Sequence, residues 1–118
     1  MARSTSRTVS GGASTPYYSP PFIVDTNVSD FNLGFGCVVT GTVNYTVQHC
    51  YDDSAVIQAG NATWFDHAVV ASKTANADGN YNNNSTQGPV SGIRVKLSTG
   101  IAGTSVVMNI IQTGPGGR

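Results

Sequence analysis

Two consecutive segments, Phe31-Asn-Leu-Gly-Phe-Gly-Cys-Val-Val39 and Val43-Asn-Tyr-Thr-Val-Gln-His-Cys-Tyr51, decide the fold class. In both, apolar side chains recur at every second position. This period matches a β-strand with one buried face, whereas an amphipathic helix would need a period of 3.6 residues. The same alternation returns in Gly92–Ser98, where apolar residues alternate with Arg94 and Lys96. We therefore expect half-buried strands from an antiparallel sheet.

The composition supports an all-β protein. The 118 residues include 14 Gly and no Glu, and Leu occurs only at positions 33 and 97. Residues suited to strands and turns thus replace the usual helix formers. Short apolar runs separated by turn residues predict an antiparallel β-sandwich with jelly-roll-like organisation.

The chain divides into one domain and two terminal segments. Residues 1–21 are expected to form an extended N-terminal arm, 22–113 the β-sandwich and 114–118 a C-terminal tail. The arm consists mostly of Ser, Thr, Gly and Pro, and such residues bury too little apolar area to offset about 1–2 kcal/mol of backbone entropy each. We therefore expect a partner surface to hold the arm. The arm residues expected to bind the partner are Arg3, Arg7, Val9, Tyr17, Tyr18, Pro20 and Pro21.

Charge and hydropathy exclude two classes of partner. The formal net charge is zero and only 10% of the residues are charged, so the clustered Lys and Arg of a nucleic-acid surface are missing. No apolar stretch approaches the roughly 20 residues of a membrane-spanning helix, and the N-terminus lacks the apolar region of a signal peptide. We expect neither a nucleic-acid nor a membrane partner, and a protein that is made and kept in a cytoplasm.

Strand parity places the two cysteines on different faces. Cys37 falls on the apolar face of its segment, and Cys50 falls on the face opposite Val47. No disulfide is expected, and Cys37 is predicted to be a buried free thiol. If residues 40–42 form a hairpin turn, Cys37 lies opposite residues near Tyr45. His49 shares the face of Val47, which predicts a hydrogen-bonded core histidine.

Catalytic chemistry has weak candidates only. His49 with Asp52 or Asp53, and His67 with Asp66, could form histidine–carboxylate pairs. No Ser in a nucleophile-elbow setting and no Cys with a plausible base accompanies them. Metal-ligand spacings such as His-x-x-x-His are absent from the sequence. No catalytic residue, cofactor or metal site is predicted.

Three further segments have weaker patterns. Residues 55–59 are expected to be extended, and residues 71–89 lack a period and are expected to form a functional or mobile loop. In 104–113, Val106, Met108 and Ile110 point one way, while Val107 and Ile111 point the other. This segment is therefore either a central strand or a strand whose outer face meets another subunit. The residues predicted as core or subunit contacts are Trp64, Phe65, Val107 and Ile111.

Several blocks resemble small virion proteins of tailed bacteriophages. They lie within residues 42–112 and are Thr42–Asp53, Ala62–His67, Ala77–Asn80, Gly88–Val95, Gly103–Val107 and Ile111-Gln112. Trp64 and Arg94 match the more distinctive positions of these proteins. The family consists of β-sandwich proteins encoded among head genes, and several of its members act as capsid cement, also called decoration, proteins.

The resemblance implies a structural role without enzymatic activity. We expect a capsid cement protein on the virion exterior, assembled in the host bacterial cytoplasm, that stabilises the head by bridging major capsid protein subunits. A homotrimer would cover the second apolar face of 104–113 by closed symmetry. One alternative is a head–tail connector or fibre-anchoring protein. Another is a carbohydrate-binding module that uses Trp64, Tyr81 or the Asn-rich loop 71–89.

Overall fold

A computed structural model of the chain describes residues 3–14, 16–24, 32–82 and 88–113. Within these ranges the chain forms β-strands and one short helix. The elements are β1 (Arg3–Ser10), β2 (Tyr17–Tyr18), β3 (Phe22–Ile23), β4 (Asn32–Thr40), β5 (Asn44–Cys50), α1 (Ser54–Gln58), β6 (Phe65–Asp66), β7 (Ala77–Asn82), β8 (Gly92–Thr99) and β9 (Ser105–Thr113).

The strands form two packed sheets. Sheet A has the order β1-β9-β4-β7, and sheet B has the order β2-β8-β5-β6, with β3 also paired to β8. Every one of these strand pairs is antiparallel. The prediction of an all-β antiparallel sandwich is confirmed.

The core lies between the sheets and follows the predicted alternation. In the middle of β4, β5, β8 and β9, every second residue points inward and is shielded from solvent. Each large apolar side chain buried in this way contributes roughly 1.5–3 kcal/mol. The largest fully buried side chains are Leu33, Val43, Tyr45, Val47, Val70, Tyr81, Ile93, Val95, Leu97, Val106, Met108 and Ile110.

The first strand corrects the predicted boundary of the sandwich. Residues 3–10 are not a separate arm but pair with β9 over eight residues, from Arg3 opposite Gln112 to Ser10 opposite Ser105. Val9 points into the core and is 3% exposed. The free edge of β9 offers this polar segment a full ladder of backbone hydrogen bonds, which its side chains alone could not replace. The sandwich therefore begins at residue 3 and not at residue 22.

The rest of the predicted arm lies along β8. Tyr17 is opposite Leu97, and Phe22 is opposite Ile93. Between them, Ser19 Oγ accepts a hydrogen bond of 2.9 Å from the backbone N–H of Val95. Proline lacks the N–H that a continuous ladder needs, so Pro20-Pro21 divides this edge into two short strands.

The connection between β4 and β5 is not a hairpin. β4 belongs to sheet A and β5 to sheet B, so the turn through Gly41, whose φ is 81°, carries the chain from one sheet to the other. Cys37 does interact with Tyr45, but across the core and not across a turn. A three-residue connection fits both geometries, which is why the sequence did not separate them.

Both cysteines are buried free thiols. This confirms the prediction for Cys37, and burial raises the pKa of its thiol to about 12. Cys50 points away from the core as predicted, yet it too is covered, because the thiol and Ile57 of α1 flank Gly92. Residues 54–58 are thus helical where an extended segment was expected.

The predicted loop 71–89 contains a strand. β7 pairs with β4, and Tyr81 of β7 lies opposite Leu33 with no exposed surface. The flanking Asp, Gly and Asn residues are depleted in strands, so the local sequence did not reveal β7. Residues 83–87 of the predicted loop and the predicted tail 114–118 lie outside the described residues.

Candidate functional site

The buried polar centre of the molecule is a cluster of two histidines and two aromatic rings. His49 Nδ1 lies 2.9 Å from the hydroxyl of Tyr81. His67 packs perpendicular to the rings of Tyr81 and Phe35, with centroids 5.1 and 5.3 Å away. His49 is therefore the hydrogen-bonded core histidine that the sequence predicts.

His67 fixes the chain that follows it. Its Nδ1 accepts hydrogen bonds from the backbone N–H groups of Val69 and Val70, at 3.1 and 3.0 Å. The proton consequently resides on Nε2, which lies 3.3 Å from the carbonyl oxygen of Asn80. Protonation of Nδ1 would break two backbone hydrogen bonds, so the imidazole is built to stay neutral.

Both histidines have lowered pKa values. Burial lowers the pKa of His49, the neighbouring His67 lowers it further, and Asp66 partly offsets this. Burial also lowers the pKa of His67, which the hydrogen bond to Asn80 partly offsets. In the unfolded chain both histidines should have a pKa of about 6.5.

We expect the protein to lose stability in mild acid. Since the folded-state pKa values lie below the unfolded ones, the unfolded chain binds more protons as the pH falls below about 6.5. The free energy of unfolding should be constant above that pH and fall below it, by about 1.4 kcal/mol for each unit of pKa depression. Melting temperatures from pH 8 to pH 5 measure this. The His67→Gln variant should show a shallower decline, and an unchanged melting temperature in the parent would contradict the expectation.

The histidine–carboxylate pairs considered from the sequence do not form. Asp66 points away from the core and accepts a hydrogen bond from Gln48. Asp52 accepts one from the backbone N–H of Thr63, and Asp53 precedes α1 as its N-cap. Within the described ranges, no group of three His, Cys, Asp or Glu residues could hold a metal ion.

The outer face of sheet A, called here the flat face, is uncharged over most of its area. Its outward positions on β1, β9 and β4 are Ser, Thr, Gly, Asn, Val and Ile, and on β7 Asp78 joins them. Val38, opposite Val107, is 48% exposed, and Ile111 is 46% exposed. The flat face thus presents apolar side chains surrounded by small polar ones.

Two glycines of β4 leave part of the flat face without side chains. A Cβ on Gly34 would meet no atom within 4 Å, and one on Gly36 would come no nearer than 3.9 Å to Asp78. Neither residue has a positive φ, so the fold itself does not require glycine there. Beside Gly36 lies a depression of about 280 Å³, bordered also by Val38 and Asn109. Close approach of a ligand or of another backbone is one of the common reasons for glycine within a strand.

The outer face of sheet B carries a stack of three side chains. The guanidinium carbon of Arg94 lies 4.0 Å from the ring centre of Tyr18 and 4.3 Å from that of Trp64. We call Tyr18, Arg94 and Trp64 the Arg94 stack. Such cation–π contacts contribute about 0.5–2 kcal/mol, more where water is excluded.

A series of side-chain hydrogen bonds fixes the position of Arg94 on the sheet. Arg94 Nε donates to Gln48 Oε1 at 2.9 Å, and Gln48 Nε2 donates to Asp66 Oδ1 at 2.9 Å. Burial lowers the pKa of Arg94, and Tyr18 and Cys50 oppose this. The guanidinium remains charged at neutral pH. This arrangement presents a fixed cation on an otherwise polar sheet face.

No family model, curated protein or solved structure matches this chain. Within the described residues, none of the helices is long and apolar enough to cross a membrane. The two outer faces are therefore interpreted from their own chemistry.

The residues predicted to bind a partner through the arm have several different positions. Val9 lies in the core, and Tyr17 packs against it. Arg7 donates from Nε to the carbonyl oxygen of Pro21 at 3.2 Å and lies over the ring of Phe22, which ties β1 to β3. Only part of the set reaches the surface. The exposed members among the described side chains are Tyr18 and Pro20, and the side chain of Arg3 lies outside the description.

The residues predicted as core or subunit contacts lie at the surface. Trp64 is half-buried against Arg94, so it is not a core residue. Phe65 is exposed at the edge of sheet B, where it stacks on His49. Val107 and Ile111 belong to the flat face. Their role as contacts with another subunit stays a prediction.

Sequence reasoning missed Gly34, Gly36 and Val38 as members of the flat face. The signal was present, because glycines at alternate positions of an otherwise apolar strand leave one face without side chains. It also missed the role of Gln48, whose link between Arg94 and Asp66 depends on pairing between β5, β6 and β8.

Proposed function

We propose that the protein is a structural virion protein without enzymatic activity, a capsid cement protein on the outside of a bacteriophage head. It bridges major capsid protein subunits and stabilises the shell. A homotrimer is the arrangement that we favour. The observation that carries the proposal is the flat face, with its two glycines that the fold does not need.

The flat face has the properties of a docking surface for extended backbone. It is uncharged apart from Asp78, its apolar residues lie on neighbouring strands, and Gly34 and Gly36 leave the backbone of β4 accessible. A bound segment would gain apolar contact area and close van der Waals contact. Such contacts need no charge complementarity, so ionic strength should have little effect on them.

The strand order supports the jelly-roll part of the prediction. The first strand pairs with the last, and every connection between consecutive strands crosses from one sheet to the other except β2–β3 and β5–β6. Jelly rolls have this two-sheet arrangement and are common in viral shells and lectins. The topology is compatible with a virion role, although fold alone does not determine function.

The resemblance to phage virion proteins gains support from one contact. Trp64 and Arg94, the two distinctive positions of the resemblance, are 30 residues apart in the sequence and stack on each other in the structure. By contrast, two of the residues named for carbohydrate binding are less accessible than that alternative needs. Tyr81 is fully buried, and one of the two faces of the Trp64 ring is covered by Arg94.

Particles that lack this protein should assemble but lose heat resistance, and adding the purified protein back should restore it. Because the flat face is nearly uncharged, restoration is expected at both low and near-molar salt. A quantitative gel of the restored particles should show hundreds of copies each. The Val38→Lys variant should bind at least about tenfold more weakly, since it places a charge in the contact.

Ile101→Lys is the matched control for Val38→Lys. Ile101 is also an exposed apolar residue, but it lies in the β8–β9 turn, away from the flat face. The Ile101→Lys variant should bind particles as the parent protein does. A measured copy number of only a few per particle would contradict the cement role and favour a connector or fibre-anchoring role. Particles that are equally heat-stable without the protein would end the proposal.

A further inference from the structure

Arg94 has hydrogen-bond donors that no partner within the described part of the chain uses, and these are available to a ligand. Its guanidinium is held between two rings, and Nε is bonded to Gln48. Within the described residues, no other hydrogen bond and no ion pair engages it, and no buried polar side-chain atom lacks a partner. The two Nη nitrogens therefore reach solvent at the open edge of the Arg94 stack.

The edge of a guanidinium fits a carboxylate. Two parallel N–H groups match the two carboxylate oxygens, and such bidentate pairs are among the stronger hydrogen-bonded contacts. The amide of Gln48 stands between Arg94 and Asp66, so this internal carboxylate is bonded to Gln48 and not to the guanidinium. The rings of Tyr18 and Trp64 fix the plane of the guanidinium, so little side-chain entropy is lost when a ligand binds.

We propose that the Arg94 stack is a docking site for an aspartate or glutamate side chain of a partner protein. Trp, Tyr and Arg are the residue types that dominate binding energy at protein interfaces, and here all three are in contact. If the proposed function holds, the partner is a capsid subunit, and the two outer faces of the sandwich supply the two contacts that bridging requires.

The first test uses a minimal aspartate, N-acetyl-aspartate methylamide, and the full-length protein labelled with ¹⁵N. Titration should shift the Nε–H signal of Arg94 and the indole N–H signal of Trp64 along a saturating curve. The matched asparagine compound, which has the same shape without the charge, should cause no saturable shift. Equal shifts from both compounds, or shifts that never saturate, would overturn the proposal.

The second test uses variants on one strand. Arg94→Lys keeps the positive charge but loses the two-pronged edge, and it should remove the saturable shift of the Trp64 indole. Lys96→Gln is the matched control, because Lys96 is the next outward residue of β8, and it should leave the titration unchanged. Melting temperatures are recorded for both variants. If Arg94→Lys does not fold, the titration of the parent protein decides the matter.

Particle binding separates this inference from the proposed function. Arg94→Lys should bind particles at least about tenfold more weakly than the parent, while Lys96→Gln binds within about twofold. If the parent protein does not bind particles, the cement role fails and the titration still tests the carboxylate site. If Arg94→Lys binds both particles and the aspartate compound like the parent, the carboxylate site fails and the cement role stands.

Discussion

A chain that lacks residues 1–10 is expected to melt more than about 10 °C lower than the full chain, or to lose its cooperative unfolding transition. The deletion removes Val9 from the core, which alone is worth roughly 1.5–3 kcal/mol, and leaves the backbone of β9 unpaired along one edge. It also removes the contact of Arg7 with Pro21 and Phe22. For a domain of this size, each kcal/mol corresponds to about 4–8 °C.

Thermal unfolding followed by circular dichroism measures the effect of the deletion. Thr8→Ala is the control, because Thr8 lies on the same strand but points outward and is exposed, and surface changes of this kind stay within about 0.5 kcal/mol. A truncated chain that melts within a few degrees of the parent would show that β1 lies outside the cooperative unit. Residues 1–10 would then behave as the attachment arm that composition suggests.

Tyr81→Ala is expected to destabilise the protein by about 3–5 kcal/mol. The ring is fully buried and contacts Phe35, His49 and His67, so its removal leaves a cavity at the centre of the polar cluster. The loss is a large fraction of the stability of an ordinary domain. Urea unfolding at pH 7.5, where both histidines are neutral, measures it.

Tyr81→Phe separates the hydroxyl from the ring. It keeps the packing but leaves the buried Nδ1 of His49 without its partner, which should cost about 1–3 kcal/mol. Tyr51→Phe is the control, since Tyr51 is 63% exposed and should change stability by no more than about 0.5 kcal/mol. Equal effects of Tyr81→Ala and Tyr81→Phe would show that the cavity contributes little.

Strands with a continuous apolar face could be predicted from the sequence. Ile93, Val95 and Leu97 alternate with charged residues, and their inward direction is confirmed. The inward directions of Cys37 and His49 follow from the same parity. In each case the signal is local, because the two-residue period needs no knowledge of the partner strand.

Strands that depend on distant partners could not be predicted. β1 has one large apolar residue, Val9, and β7 has only Tyr81, so neither shows a period. Their pairing is determined by β9 and β4, which supply the hydrogen bonds and the apolar surface. Such tertiary contacts override weak local propensities. The expected arm was inferred from composition alone, which does not take account of a free strand edge elsewhere in the chain.

The candidate surfaces were predictable only in part. Val107 and Ile111 were identified because a strand with two apolar faces needs cover on both. The Arg94 stack combines residues from β2, β8 and the segment before β6, and no sequence spacing indicates that Tyr18, Arg94 and Trp64 meet. The flat face likewise depends on which strands adjoin β4.

The position of β9 between β1 and β4 determines the order in which the protein can fold. The first strand has its ladder partner in the last one, as Arg3 lies opposite Gln112. Sheet A therefore cannot close until Gln112 has left the ribosome. Pairings between distant segments form slowly because a long loop must close first. During that interval the nascent chain exposes the edges of β4 and the apolar residues of the future core, which are most vulnerable to aggregation and proteolysis at that stage.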